Sequence, residues 1–327
     1  MPETLTFHFE GSLADSHRMN FYESARFQYA AARLMVKLAQ FRKQGRFVQN
    51  ITTNTNFNIL LAGHRDGSFN INIEDPGQKA EEDPFINISL ADLVAYVTER
   101  VVEKIDEAAL AGGMTSTRDG TTVDGGGKAP TSSALDRIVA DVMGGKPLAP
   151  GLTPSDQDLV KRRVAEVHRE QRLADNSTAI SRIDFARSQK LIAMSAPLIS
   201  EMATALRKSA NTLEIQSSSQ GRARPVLFLD RQMAQEIETA VVDQEITPIL
   251  GDITQFNKDN GWGKVKIEDG TKIVSFSIPY DILPSMRQTL IDSMKRDAVY
   301  LQTYFVRDRG GEVVRLVAVG ILPTPTV

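Results

Sequence analysis

The C-terminal third of the chain carries the most regular pattern in the sequence, and this pattern limits the possible fold most strongly. Five short runs of strand-forming residues are separated by turn sequences rich in Gly, Asp and Asn. A helical run over residues 281–294 lies between the third and the fourth run. Five short strands with a helix after the third is the arrangement of a small closed β-barrel. The five runs are residues 247–255, 263–267, 272–278, 299–306 and 313–322.

This segment resembles OB-type or related small barrels in its order of turns and strands, over residues 251–256, 263–270, 274–278, 298–301 and 313–319. OB-type barrels often bind single strands through a basic groove with stacking aromatic residues. The resemblance therefore implies nucleic-acid binding, while small barrels also serve as protein-binding or structural modules. We expect Trp262 to be exposed, because it lies in a loop between glycines, and Phe276 to face the barrel core. The candidate binding residues here are Lys258, Trp262 and Lys264.

The first 110 residues predict a compact β-α-β-β-α unit. Residues 5–9 alternate as a strand, and residues 19–43 have helical periodicity with Gly45 as a stop signal. A hairpin over 56–62 and 68–73 follows, and then a helix that begins at Ser89. Residues 7–73 also resemble uncharacterised proteins of bacteria and their mobile elements, which provide no activity to transfer. We expect the first helix to bury one face made of Phe21, Ala25, Tyr29, Ala32, Val36 and Ala39.

The middle of the chain predicts helices between two linkers. Residues 111–158 are rich in Gly, Ser, Thr and Pro, which indicates a flexible linker or excursion with one short helix near 135–142. Residues 159–215 are helical by pattern and could pack on 1–110. Residues 216–225 read as a second linker before a barrel domain over 226–327. The predicted fold class is therefore α+β, with an N-terminal β-α-β-β-α unit, a helical middle and a C-terminal five-stranded, OB-like barrel.

Composition excludes several classes of chemistry. The chain has no cysteine, which removes disulfides and thiolate metal sites. Its four histidines lack metal-ligand spacing, and no phosphate-binding loop, dinucleotide fingerprint or Ser-nucleophile elbow is present. We therefore expect no metal and no cofactor. No secretory signal and no membrane-spanning run is visible, so we expect a cytoplasmic protein without membrane partners.

Positive charge is concentrated in the middle of an acidic chain. The formal net charge is −3, yet residues 159–225 hold 12 basic and 6 acidic residues. This block could bind phosphates electrostatically. Alternatively, it is a helix surface that pairs with the acidic N-terminal unit, or with that unit in another copy. The candidate phosphate or partner contacts are Lys161, Arg162, Arg163, Arg169, Arg172 and Arg187.

The densest titratable cluster lies near the N-terminus, at His8, Glu10, Asp15 and His17. A His–carboxylate group at a strand-to-helix loop could perform acid–base catalysis. In the structural alternative, His8 and Glu10 lie on the solvent-facing side of a strand, and Asp15 is a residue at the start of a helix. We favour the structural alternative, so these four are weak catalytic candidates.

The sequence therefore favours a non-catalytic binding or assembly protein of bacterial or phage origin, which acts through a helical docking surface and a small barrel. Its expected partner is another protein or a second copy of the chain. Two alternatives remain open. One is a single-strand-binding accessory factor, for example in phage defence or mobile-element biology. The other is an enzyme with the N-terminal His–carboxylate site.

Overall fold

The computed structural model describes most of the chain. The described residues are 3–53, 55–56, 59–62, 69–75, 83–105, 132–148, 150–219, 222–267, 272–295 and 298–323. Residues 111–131 of the predicted linker over 111–158 lie outside them, and so does the predicted hairpin turn at 63–67. The described residues contain eight α-helices, an open sheet and a closed barrel, which confirms the α+β class.

An antiparallel sheet organises the first unit in the order β2-β3-β1-β4-β5. Residues 216–219 and 222–225 belong to its two last strands, so the prediction of a linker over 216–225 is wrong. The β4–β5 hairpin forms because its backbone pairs with β1 from the other end of the chain, and such pairing does not need apolar side chains. Ser217, for example, pairs with Leu5 and donates to the Glu3 carboxylate over 2.8 Å. The strands are β1 (Glu3–Glu10), β2 (Leu60–Ala62), β3 (Phe69–Asp75), β4 (Thr212–Ser219) and β5 (Arg222–Asp230).

The helices have the termini that their sequences encode. Asn20 caps α1 by accepting from the amides of Tyr22 and Glu23, and Gly45 ends the helix with φ 64°. Ser89 and Asp92 form a capping box on α2, as predicted. The helices are α1 (Phe21–Gln44), α2 (Leu90–Val101), α3 (Ser132–Met143), α4 (Pro154–Asp175), α5 (Ser177–Ile180), α6 (Phe185–Ala203), α7 (Arg231–Thr239) and α8 (Leu283–Ser293).

One apolar core joins the sheet to α1, α2 and α6. Leu5, Phe7 and Phe9 alternate along β1 and are at most 1% exposed. The ring of Phe27 on α1 lies edge-on to Phe7 and Phe9, with centroids 5.3 and 4.9 Å away. Leu191 of α6 belongs to the same core, so the helical middle packs on the N-terminal unit.

The C-terminal strands close into a barrel in the order β10-β8-β7-β6-β9. Strand β8 runs parallel to β10, the other pairs are antiparallel, and α8 connects β8 to β9. This topology agrees with the predicted OB-like barrel. Phe276 is fully buried in its interior, as expected. The strands are β6 (Val241–Phe256), β7 (Trp262–Ile267), β8 (Ile273–Ser277), β9 (Val299–Arg307) and β10 (Val313–Leu322).

The barrel and the first unit share a packed boundary along β9. Leu301 and Phe305 point to the barrel interior, whereas Tyr304 and Val306 join the core of the first unit. Tyr304 stacks on Phe185 at the start of α6, with ring centroids 6.4 Å apart. Alternate residues of one strand therefore serve two cores.

None of the helices in the described part of the chain is long and apolar enough to cross a bilayer.

Candidate functional site

The basic face of α4 meets carboxylates of this same chain. The ammonium of Lys161 contacts the Glu10 carboxylate of β1. Arg172 lies 2.7 Å from Asp92 at the start of α2. These two contacts correspond to the interpretation in which the basic block pairs with the acidic N-terminal unit.

The other cations of α4 are also engaged. Arg163 lies 3.2 Å from Glu166, and Arg162 donates to the carbonyl of Glu103 over 2.8 Å. Arg169 is only 2% exposed and lies inside the protein. The candidates Lys161, Arg162, Arg163, Arg169 and Arg172 therefore have internal partners and do not form an open phosphate-binding face.

Arg169 belongs to a buried ionic cluster around Glu99 of α2. The Glu99 carboxylate lies 2.7 Å from the Lys104 ammonium and 3.4 Å from Arg169, and it accepts from the Tyr280 amide. Burial works to raise the pKa of Glu99, but the charges of Lys104 and Arg169 hold it below its ordinary value. This cluster connects α2 to the barrel through two hydrogen bonds. The Tyr280 amide, just before α8, donates to Glu99, and Lys104 donates to the carbonyl of Asn260 over 2.6 Å.

The chain that follows α2 contacts the barrel beside Trp262. Trp262 is 3% exposed, so the prediction of an exposed tryptophan is wrong. It is the first residue of β7 and pairs with Ser277. Ser275 donates to the Glu103 carboxylate over 3.1 Å, and the Asn260 amide donates to the carbonyl of Ile105.

The two lysines predicted beside Trp262 have different environments. Lys264 lies over the indole, with its ammonium 5.3 Å from the ring centroid. Lys258 is exposed in the β6–β7 turn. Because Trp262 is buried, its ring does not offer the exposed stacking surface that the OB-type resemblance implies.

His8 and Glu10 lie together on the polar face of β1. The Nδ1 of His8 is 2.6 Å from the side-chain oxygen of Asn70, and its Nε2 is 3.0 Å from the Glu10 carboxylate. Both contacted atoms are oxygens, and the donor and acceptor roles of the two ring nitrogens depend on the tautomer. The hydrogen bond with Glu10 raises the pKa of His8 against the opposing effect of burial. The same bond, with help from Lys161, lowers the pKa of Glu10 to about 2 although burial opposes it.

Asp15 and His17 have separate local roles. The Asp15 carboxylate accepts from the amide of Gly11 over 2.7 Å and holds the turn after β1. His17 ends a short 3-10 helix in the left-handed region, with φ 55°. The structure thus joins His8 and Glu10 to Asn70 and Lys161 rather than to Asp15 and His17. Both ring nitrogens of His8 already contact side chains of this chain.

A wide groove of about 1190 Å³ runs between α1, residues 45–49 and α6. We name it the α1–α6 groove. Its two carboxylates are already paired, Asp184 with Arg187 and Glu201 with Arg26 at 3.0 Å. Its cationic lining residues are Arg33, Lys37, Arg46, Arg187 and Lys190.

Three cations of the α1–α6 groove have no carboxylate partner among the described residues: Arg33, Arg46 and Lys190. A fourth, Lys37, is 8% exposed and donates to the carbonyl of Gln49 over 3.2 Å. Burial lowers the pKa of Lys37, and the charge of Arg33 lowers it further. The groove therefore holds like charges close together, and a bound anion would relieve their repulsion.

Exposed tyrosines alternate with arginines along α1 beside this groove. Tyr22, Arg26, Tyr29 and Arg33 follow each other at three- and four-residue spacing, so they form one stripe on the helix. Tyr22 and Tyr29 are 67% and 62% exposed. The guanidiniums of Arg26 and Arg33 lie over these rings, 5.6 and 5.3 Å from the centroids.

Helical periodicity predicts Tyr29 on the buried face of α1, so the sequence pattern does not reveal this stripe. That assignment is wrong for the first half of the helix, where Phe21 is 89% exposed. The face that packs on the sheet carries Phe27, Ala30 and Leu34 instead. Both faces satisfy helical periodicity, so only the packing on β1 decides between them. The alternation of tyrosine and arginine is the signal that could have identified the stripe.

Of the predicted binding residues, only Arg187 lines the α1–α6 groove. It contacts Asp184 and lies over the ring of Phe85, 4.9 Å from the centroid.

No protein-family model, curated protein or solved structure matches this chain. The interpretation of the groove therefore depends on its own geometry, charge and exposed aromatic residues.

Proposed function

We propose that this protein binds single-stranded nucleic acid in the α1–α6 groove. The observation that carries the proposal is the combination of three groove cations that have no carboxylate partner in the described part of the chain, Arg33, Arg46 and Lys190, with the exposed tyrosines of α1. Cations that line a groove hold a phosphate backbone, and exposed rings stack on bases. Binding, rather than catalysis, is the activity that this arrangement supports.

The exposed tyrosines favour a single strand over a duplex. Stacking on Tyr22 or Tyr29 needs a base whose face is accessible, and the bases of a duplex are stacked on each other. The two rings are seven residues apart, or about 10 Å along the helix axis. One strand that follows α1 can therefore contact both rings with different bases while its phosphates bind the groove cations.

Charge distribution favours the groove over the regions that the sequence singled out. The cations of α4 have internal carboxylate or carbonyl partners, and Trp262 of the barrel is buried. An arginine that is already paired gains little from a phosphate, because it must first lose its partner. Self-association through the helical middle, also expected from the sequence, stays a prediction.

Fluorescence anisotropy with a labelled 20-nucleotide single strand tests the proposal. Charge reversal at Arg33 and Lys190 together (R33E/K190E) is expected to weaken binding by at least about tenfold, since it removes two phosphate contacts and adds repulsion. Tyr29→Ala is expected to cost about 1–3 kcal/mol, or about 5- to 150-fold, for the single strand. The same variants are measured on a duplex, where Tyr29→Ala is expected to have little effect.

Lys266→Glu is the matched control, because Lys266 is an exposed cation on the barrel away from the groove. It is expected to change the affinity far less than R33E/K190E does. The proposal is wrong if the wild-type protein does not bind the single strand at low salt. It is also wrong if K266E weakens binding as much as R33E/K190E.

A further inference from the structure

A second cavity lies where the first unit meets the barrel. It has a volume of about 260 Å³ and is bounded by the end of α2, by α4, by α7 and by strands β9 and β10. We name it the junction cavity. Its walls are largely apolar, with Val101, Met233, Ile237, Ala240 and Val306 among the lining residues.

One nitrogen of a buried guanidinium in this cavity has no hydrogen-bond partner among the described residues. Arg315 of β10 is 6% exposed, and its Nη2 donates to the carbonyl of Val101 over 2.9 Å. Its Nη1 is buried and has no hydrogen-bond partner among the described residues. A buried charge is costly unless it is paired and fully hydrogen-bonded, so a free Nη1 indicates a missing acceptor. Burial also lowers the pKa of Arg315, and the nearby charge of Arg162 lowers it further against the effect of Glu103 and Glu236.

The carboxylates around the cavity do not supply this acceptor. Glu103 accepts from Ser275, Asp308 accepts from the amide of Glu312 over 2.9 Å, and Glu236 is exposed and accepts from Gln232. They do limit the charge of a ligand, because a dianion would be repelled by three nearby carboxylates. The apolar walls in turn favour a ligand with an apolar body.

We infer that the junction cavity binds a small organic monocarboxylate with an apolar body, whose carboxylate accepts a hydrogen bond from Nη1 of Arg315. The apolar body contacts Val101, Met233 and Ile237, and the ligand lies between the first unit and the barrel. Such a ligand stabilises the folded protein by an amount that rises with the logarithm of its concentration above the Kd, since it binds only where both units are in place. This site is separate from the α1–α6 groove and does not depend on the proposed function.

Calorimetry and thermal unfolding with sodium butyrate and sodium benzoate test the inference, with sodium chloride of equal ionic strength as the reference. Either carboxylate is expected to bind the wild-type protein and to raise its Tm with increasing concentration. Arg315→Met removes the guanidinium, and Ala240→Leu fills the cavity while Arg315 stays in place. Each variant is expected to weaken carboxylate binding by at least about tenfold. Arg137→Gln, an exposed arginine on α3, is the matched control and is expected to bind normally.

Circular dichroism shows whether each variant is folded, and A240L carries the test if R315M is not. The inference is overturned if neither carboxylate binds the wild-type protein at millimolar concentration, in which case Nη1 meets only water. It is also overturned if A240L binds as tightly as the wild type. Binding of inorganic phosphate in preference to both carboxylates would contradict the ligand class.

Discussion

Glu170 of α4 illustrates how the interior of this protein changes a single carboxyl group. Its side chain is 14% exposed and lies 3.6 Å from Arg163. Burial raises the pKa of Glu170 to about 7, although the positive charge of Arg163 opposes the increase. The carboxyl group therefore stays protonated in the folded protein at pH values where the unfolded chain has already ionised it.

This shift predicts how stability depends on pH. Between the ordinary pKa of 4.5 and about 7, the unfolded chain releases a proton that the folded protein retains at Glu170. The free energy of unfolding therefore falls as the pH rises through this window, by up to about 3 kcal/mol from this group. Glu170→Gln removes this contribution, so relative to wild type the variant gains stability from about pH 4 to about pH 8. Urea unfolding over this range measures the difference.

Glu312→Gln is the matched control for Glu170→Gln, because it removes an exposed carboxylate on the barrel. The prediction is contradicted if the free energy of unfolding changes with pH in the same way for wild type and E170Q from about pH 4 to about pH 8. Glu170 would then keep no extra proton in the folded state.

For a candidate site residue, the sequence predicts which face of its own strand the side chain lies on, but not which distant segment contacts it. Alternation along β1 correctly puts His8 and Glu10 on the polar face of the strand. It cannot identify Lys161, which contacts Glu10 from 151 positions away. It also cannot predict that Trp262 is buried, because burial of a residue at a strand end depends on which other segments pack there.

At the scale of elements, the ion pair between Arg100 of α2 and Asp281 before α8 connects the two units. Its atoms are 2.6 Å apart, and the side chains are only 3% and 6% exposed. The guanidinium also lies over the Tyr96 ring, 3.7 Å from the centroid. Because both charges are removed from water, the loss of one leaves the other unpaired in the interior.

Arg100→Met is therefore expected to destabilise the protein by about 3–5 kcal/mol, as measured by chemical denaturation. The double variant R100M/D281L is expected to recover part of this loss, since it removes the uncompensated carboxylate as well. Lys146→Ala is the matched control, because Lys146 and Asp141 form an exposed pair that is expected to contribute less than about 1 kcal/mol. Equal costs for R100M and K146A would contradict the role of the Arg100–Asp281 pair.

The elements themselves follow from local sequence more closely than their pairing does. The capping box at Ser89, the stop at Gly45 and the five barrel strands are encoded by neighbouring residues, and all are present. The β4–β5 hairpin was missed because its serines and glutamines have low strand propensity, and its stability comes from pairing with β1. The exposed stripe of α1 was missed for a related reason, since long-range packing selects the buried face.

At the scale of the whole molecule, much of the positive charge in the middle of the sequence is paired with carboxylates of the same chain. The basic helix α4 faces carboxylates of β1 and α2, which explains why a chain of net charge −3 contains a strongly basic middle. The predicted segments 1–110 and 159–215 share one core, and β9 contributes side chains to it. In the α1–α6 groove, three cations that line one surface have no carboxylate partner among the described residues.

The salt dependence of single-strand binding tests this account most directly. With three or four phosphate contacts in the groove, the logarithm of the binding constant is expected to fall with the logarithm of salt concentration with a slope of about −2 to −3. Neutralising Arg33 and Lys190 to glutamine is expected to make the slope shallower by about 0.7 for each cation removed. The account is contradicted if binding is independent of salt, or if the slope of the double variant R33Q/K190Q equals that of the wild type.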